Sequence, residues 1–510
     1  MKVFLDKVFE NSNKKKIKYY DKSSKIIQTD FIKLNKNYKL ILQFLHNNFN
    51  EDTNVAIISE NNFNLIQLII PCIIFFRKTV IIPSDETKFI RDDIIKKLSV
   101  GLVLFSSKKD YENFNSTFIK KKILLDNILK RNSKIKIPIN FKKKSIYNNS
   151  IIYCSSGTTG KSKIIELNYK IITTQIKQIK DRLRIDKQNT LFTPMPLTHI
   201  SGFFFVFLNS FLFNKNLILT NFFNILIFKK LLLNKNLTFI YLNPSMVNLI
   251  SKSSLHFNSK SKKKLTLICG SAPLSKYVLG NFLKKLDCNF IHLMGMTETC
   301  NTAFTVPYSL SKKLKKEIYF KYSSPSIGVP LNGVNVKIFK KGYVKKEGVE
   351  GELLLSGNNI IQKYFYPKTK SLFHKNYIRT GDICFFRIIN GRKYYFISGR
   401  IKEMLIRNGI NVYLNEIDDF YQKNGISSVF SVSINDVYLG EDLILVTQKK
   451  YSENFKSKII KISAKLSKYM RPTRIFFLKN IFRTKSGKIK RNQIGFYVAT
   501  HKDKLRFDYL

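Results

Sequence analysis

Residues 153–163 read Y-C-S-S-G-T-T-G-K-S-K and follow the apolar run Ser150-Ile151-Ile152-Tyr153-Cys154. A strand-like run that empties into small and hydroxyl residues is a way to hold phosphate. Glycine lets backbone N–H groups approach the anion, hydroxyls donate hydrogen bonds, and lysine supplies charge. The nearest template is Walker A, G-x-x-x-x-G-K-S/T, and Gly160-Lys161-Ser162 fits its second half. Ser155 stands where the first glycine belongs, however, and Walker A needs a helix that starts at the lysine. Here Ser162–Leu167 has strand character. A helical pattern begins only after Asn168, a good N-cap, and continues through Ile171, Ile172, Ile176 and Ile179. Taken alone, the stretch also fits a Gly/Ser/Thr surface turn with no ligand.

Working outward, short β-rich runs recur at Val55–Ser59, Thr79–Pro83, Leu102–Phe105, Ile151–Cys154, Leu217–Thr220, Thr238–Leu242, Leu265–Cys269 and Phe290–Leu293. Amphipathic stretches such as 60–76 and 274–286 lie between several of them. This alternation predicts α/β layers with much parallel sheet, which binds ligands beyond the carboxyl ends of its strands. From about 320 to 400 the strands shorten and turns multiply, predicting an antiparallel, barrel-like portion. Gly399-Arg400 marks the end of the large part. The tail carries strand-like runs at Val429–Ile434, Leu443–Thr447 and Arg474–Leu478 and helical patterns at 414–422 and 455–468. The expected organisation is therefore a large α/β domain, 1–400, and a small α+β domain, 401–510. Residues 1–50 are weakly patterned and are expected on the outside of the large domain.

The 510 residues suffice for a large core, and a hydrophobic content of 44% is that of a globular chain. The formal charge of +55 invites nucleic acid or an anionic membrane as partner. Against this, Lys, Asn, Ile, Phe and Tyr are abundant while Gly (21), Pro (12) and Trp (0) are scarce, as AT-rich codons would produce. The lysines are scattered in short runs such as Lys120–Lys122 and Lys262–Lys264, which are ordinary solvated faces. No specific nucleic-acid partner is expected. The six cysteines form no C-x-x-C pair and lie mostly in apolar runs, the usage of free thiols in a reducing compartment. The N-terminus lacks a signal-peptide core. The apolar runs at 65–76 and 203–213 are shorter than the ~20 residues a spanning helix needs. A soluble, cytoplasmic enzyme without a transmembrane segment is expected.

Further strings recur in order along the chain: His199-Ile200-Ser201-Gly202, Cys269-Gly270-Ser271-Ala272-Pro273, Met294-Gly295-Met296-Thr297-Glu298, Arg379-Thr380-Gly381-Asp382, Gly399-Arg400-Ile401-Lys402-Glu403 and Thr484-Lys485-Ser486-Gly487-Lys488. Together with 153–163 they resemble the adenylate-forming, AMP-binding superfamily of acyl-CoA synthetases, peptide-synthetase adenylation domains and luciferases. The resemblance runs from about residue 50 to the end. It implies ATP-dependent activation of a small carboxylic acid to an acyl-adenylate, then transfer to the thiol of CoA, with ATP, Mg²⁺ and CoA as cofactors. A carrier protein as the thiol partner and a non-enzymatic basic binding protein remain the alternatives. The His-Ile-Ser-Gly and Met-Thr-Glu-Thr-Cys strings resemble o-succinylbenzoate–CoA ligases. Gly-Arg-Ile-Lys-Glu looks more like oxalate– or fatty-acid–CoA ligases.

The resemblance also implies roles, and the residue types suit them. A carboxylate is already nucleophilic, so the site must bring two anions together and stabilise charge on phosphorus. Ser155, Ser156, Gly157, Thr158, Thr159, Gly160 and Lys163 would cradle the phosphates. Glu298, with Ser155, would hold Mg²⁺. Gly270, Ser271, Ala272, Met294 and Gly295 would border the nucleotide, Asp382 would take the ribose hydroxyls, and Arg400 would reach ribose and phosphate. Thr297, His199 and Lys488 are the candidate catalytic residues, Lys488 bridging the carboxylate and α-phosphate. Lys402 falls at the hinge, and Gly409 in the loop that would line a thiol tunnel. Phe203–Phe207 is read as core. The chain departs from the family pattern in three places. Met294 replaces the usual tyrosine, Ser162 and Ile164 flank Lys163 in place of proline and glycine, and Asn408 replaces the first of two glycines.

Overall fold

The computed structural model describes residues 2–9, 15–21, 23, 25–119, 121–130, 148–155, 163–260, 264–369, 371–407, 410–436, 440–483, 489–501 and 504–510. Two sheets of mainly parallel strands dominate it. One has six strands, with Asn54–Ser59 flanked by Lys78–Pro83 and Leu102–Phe105. Ser150–Ser155 pairs with Lys78–Pro83, and the antiparallel Lys163–Asn168 closes the edge. The other has nine strands, and its central members Thr190–Thr193, Leu237–Leu242, Thr266–Cys269 and Asn289–Met294 are parallel neighbours. Strands covered on both faces must be apolar throughout, which is why they stood out as continuous hydrophobic runs. The helix Tyr169–Leu183 starts where expected, with Asn168 accepting from Ile171 N–H at 3.0 Å.

Residues 1–50 are more integral than the sequence suggested. Lys16–Tyr20 pairs in parallel with Asn216–Thr220, Ile26–Asp30 turns back beside it, and Phe31–Asn48 follows as a helix capped by Asp30. The strands extend the nine-stranded sheet at its edge. Phe203–Phe207 is core, as expected, but it is wound as a π-helix, Ser201–Leu208.

A five-stranded antiparallel sheet follows, including Gly351–Gly357, Tyr377–Ile389 and Arg392–Arg400. A bridge between Gly328 and Tyr395 joins it to the edge of the nine-stranded sheet. The C-terminal α+β domain builds its own cores, one around Leu405, Ile417, Leu445 and Ile475, the other around Val432, Ile444, Ile494 and Val498. It meets the large domain where Tyr413 donates to Glu350 at 2.9 Å and Asn415 donates to the Ser398 carbonyl at 3.2 Å. Among the described residues no helix is long and apolar enough to cross a membrane.

Asp418 ties the small domain together. It accepts from the Ser431 N–H and hydroxyl at 2.6 and 2.7 Å and from Arg491 Nη2 at 2.7 Å. Arg491 also reaches Glu403 at 3.7 Å, and both Asp418 and Arg491 side chains are about 10% exposed. Removing one partner of such a pair strands a buried charge. Asp418→Ala is expected to destabilise the small domain by about 3–5 kcal/mol in urea unfolding. A loss below ~1 kcal/mol, the size of a surface pair, would contradict this placement.

Candidate active site

The site grows from strand ends. Thr266–Cys269 and Asn289–Met294 run in parallel register, so the loops Gly270-Ser271-Ala272 and Gly295-Met296-Thr297 leave the sheet side by side. Ser271 sits at φ 76, a left-handed conformation costly for a residue with a side chain. Gly295 is obligatory, because a Cβ there would lie 1.9 Å from the Asn301 carbonyl oxygen. Beyond it the chain folds back on itself. Met296 N–H donates to Thr299 Oγ1 at 3.0 Å, Asn301 N–H returns to the Met296 carbonyl, and Cys300 and Asn301 take φ 49 and 89. This tight turn leaves Thr297 half-buried and buries Glu298 to 4% exposure.

A buried carboxylate needs partners. Tyr364 donates to Glu298 Oε1 at 2.9 Å, and its oxygen accepts from Lys163 Nζ at 3.4 Å. The ammonium lies 4.9 Å from the Tyr364 ring centroid. Burial, with Glu298 second, pushes the Tyr364 phenol pKa up, so it stays a donor. Burial pushes the Lys163 ammonium pKa down, Glu298 pulls it back up, and Lys402 and Arg400 lower it further. Lys163, Glu298, Arg400 and Lys402 therefore share one electrostatic neighbourhood.

Asp382 and Arg400 are register partners on neighbouring strands. Arg400 Nε donates to Asp382 Oδ1 at 2.7 Å, and Asp382 N–H is held by Thr380 Oγ1 at 3.1 Å. The Asp382 side chain is 6% exposed and that of Arg400 45%, so the pair presents its cation outward. Asp382 above all, then Glu403 and Glu298, raise the Arg400 pKa, while burial opposes them.

The structure thus joins Lys163 to Glu298 through Tyr364, and Asp382 to Arg400. Gly270, Ala272, Met294 and Thr297 border the same strand ends. His199 is half-buried, its Nδ1 2.5 Å from Ser201 Oγ. Ser155 ends its strand without a described side chain. Ser156, Gly157, Thr158, Thr159, Gly160, Gly409 and Lys488 lie outside the described residues.

Nothing in the sequence pattern singles out Tyr364 or the segment carrying it. Asn359 donates to Gln175 at 2.9 Å and to the Thr302 carbonyl at 3.1 Å, and Ile361 N–H donates to the Glu298 carbonyl. Ile164 and Tyr366 then pair as an antiparallel bridge. Residues 359–366 therefore staple the Glu298 turn of one sheet to the Lys163 strand of the other. The one clue in the chain was an aromatic cluster, Tyr364-Phe365-Tyr366, following a polar loop.

This arrangement of sheets and a small C-terminal domain is the fold of adenylate-forming enzymes. The structure resembles o-succinylbenzoate CoA synthetase from Bacillus subtilis solved with its acyl-adenylate, with TM-score 0.78 and 21% identity over 96% of this chain and 97% of that one. The same enzyme with ATP and magnesium ion gives TM-score 0.77 and 20% identity, covering 96% and 98%. The chain belongs to the AMP-binding enzyme family, whose pattern matches residues 44–365. It is 28% identical over 349 residues to 2-succinylbenzoate–CoA ligase of Staphylococcus aureus, a match covering 67% of this chain and 66% of the relative, just under two thirds of its length.

Glu298 supports the charge of Lys163, so its neutralisation has a defined sign. Glu298→Gln keeps an oxygen for Tyr364 but removes the anion that raises the lysine's pKa, and the neutral amine fraction must grow. Competitive acetylation read by mass spectrometry at about pH 8 should show Lys163 reacting faster in the variant than in the wild type. An unchanged or slower rate would contradict the coupling.

Proposed function

We propose that the protein activates a small carboxylic acid with ATP, forming an acyl-adenylate and pyrophosphate, and then transfers the acyl group to the thiol of CoA. What supports this most is a pair of buried carboxylates, each supplied with a cation: Glu298 reaches Lys163 through Tyr364 across two sheets, and Asp382 holds Arg400. Lys163 supplies positive charge to the departing phosphates. Asp382, held by Arg400, offers a fixed acceptor for ribose hydroxyls. Arg400 projects its guanidinium toward the nucleotide's phosphates.

The donor set fits Mg²⁺ delivered with ATP. Among the described residues no three His, Cys, Asp or Glu group together as a metal cage. Mg²⁺ is commonly held by one or two carboxylates plus substrate phosphates, and Glu298 supplies such a carboxylate. Ser155 would assist it. When bound, the ion would neutralise phosphate charge. Thr297 borders the α-phosphate and His199 the acyl carboxylate. Lys488 bridges the reacting carboxylate and α-phosphate as charge builds.

The domain boundary falls at 400/401, with Lys402 as hinge. Rotation about it exchanges Lys488 for the Lys402–Asn411 loop, bringing Gly409 to the thiol tunnel for the second half-reaction. All six cysteines are free thiols and five are buried, which supports a reducing, cytoplasmic setting.

The test is pyrophosphate release across a panel of carboxylic acids, with 2-succinylbenzoate, the acid named for the relatives, tried first. One acid should support release, and hydroxylamine should trap its adenylate. Lys488→Ala should slow that step about 10²–10³-fold, as loss of a transition-state donor does. Thioester should then form on CoA. Thioester on a carrier protein alone would replace CoA as acceptor, and no release with any acid would overturn the proposal.

A further inference from the structure

The segment that staples the two sheets carries more than the Tyr364 contact. Its three successive aromatic residues each lie against a lysine. Lys163 Nζ is 4.9 Å from the Tyr364 ring centroid, Lys78 Nζ 4.8 Å from that of Phe365, and Lys97 Nζ 3.6 Å from that of Tyr366. The lysines come from separate elements. Lys163 opens the strand Lys163–Asn168, Lys78 opens Lys78–Pro83, and Lys97 ends the helix Lys88–Lys97. Lys163 has a part in the function proposed above, and the other two have none.

The Lys97 contact is the closest of the three. Lys97 also donates to Asp93 Oδ2 at 2.6 Å, one turn earlier on its helix. That carboxylate restrains the long side chain and aims its ammonium. The Lys97 side chain is 22% exposed, and Tyr366 is half-buried. An ammonium over a ring face is drawn to its negative quadrupole, and the attraction grows as water is removed.

Tyr366 reaches the site through the backbone. Its carbonyl accepts from Ile164 N–H at 2.8 Å, while Phe365 and Tyr366 N–H donate to the Ile164 carbonyl at 3.0 and 3.2 Å. Two residues earlier, Tyr364 donates to Glu298 at 2.9 Å. Lys163 Nζ donates to the Tyr364 oxygen at 3.4 Å and so adds its own hold on the staple. That hold is lost once the ammonium turns to ATP, because an anionic phosphate is a stronger acceptor than a neutral phenol. Lys97 behaves differently. Its charge is already matched by Asp93, so it stays on its ring.

We propose that Lys97 and Tyr366 are positioning residues whose contact keeps the staple docked when Lys163 turns to the phosphates, so that Tyr364 stays on Glu298 and the carboxylate keeps its aim at Mg²⁺. The role toward the metal rests on the function proposed above, whereas the docking of the staple does not. Affinity for MgATP is thereby set in part from the end of the helix Lys88–Lys97.

The experiment compares the full-length wild type with Lys97→Met, which loses the charge, Lys97→Arg, which keeps it, and Tyr366→Leu, which loses the ring. Hydrogen exchange read by mass spectrometry on a peptide covering 359–368 reports the Phe365 and Tyr366 amides. Exchange there should quicken about 2- to 30-fold in Lys97→Met and Tyr366→Leu, the worth of a cation–π contact, and match wild type in Lys97→Arg. Pyrophosphate release should show KM for MgATP raised by a similar factor with kcat unchanged, the mark of lost binding rather than lost chemistry. Unaltered exchange in Lys97→Met, or the same quickening in Lys97→Arg, would overturn the proposal. So would quickening spread over the whole chain, which marks general destabilisation, or a quickened staple with unchanged KM. A wild type that releases no pyrophosphate with any acid would overturn the function and the metal role with it, and the exchange result would still decide the docking.

Discussion

Two carboxylates taken out of water govern this structure. Glu298 and Asp382 are 4% and 5% exposed, and a buried anion is tolerated only with hydrogen-bond donors and a nearby cation. Glu298 meets this with Tyr364 and Lys163, which lie on the far side of a sheet boundary. Asp382 meets it with Arg400, the last residue of the neighbouring strand. The polypeptide path follows from these demands. Residues 359–366 must cross between sheets to deliver Tyr364, and the strands Tyr377–Ile389 and Arg392–Arg400 must pair in the register that sets Asp382 opposite Arg400. Four charges that would each be costly alone become one mixed cluster, and that cluster is suited to phosphate and its metal.

The parallel strands were legible in the sequence because double burial makes them apolar end to end. The loops at their carboxyl ends were legible because Gly, Ser and Thr interrupt those runs. The edge strand Lys16–Tyr20 was not, since its lysines break the apolar pattern and its partner, Asn216–Thr220, is some two hundred residues away. The helix expected over 455–468 ends at Ser463, where Arg471 captures the Ala464 and Leu466 carbonyls at 2.8 and 2.9 Å. Such a cap comes from a residue beyond the helix and leaves no mark on the apolar spacing that predicted it. Tyr364 escaped because it reads as ordinary core, and only the fold shows that its hydroxyl faces Glu298.

Two departures from the family pattern acquire a physical meaning. Ile164, where glycine is usual, is fully buried, packing with Ile152, Phe365 and Tyr366. Its backbone donates to the Tyr366 carbonyl at 2.8 Å and accepts from Phe365 and Tyr366. The extra side chain therefore strengthens the staple between the sheets. Met294, where tyrosine is usual, is half-buried against the main core, and a thioether can still lie along a flat ring.

The central claim is that one nucleotide engages both buried carboxylates. A crystal structure of the protein with ATP and Mg²⁺ tests it most directly. The account predicts the ribose hydroxyls on Asp382, the metal on Glu298, and the Lys163 ammonium turned from Tyr364 toward the phosphates. Nucleotide bound elsewhere, or bound here with Glu298 and Asp382 still paired only to Tyr364 and Arg400, would contradict it.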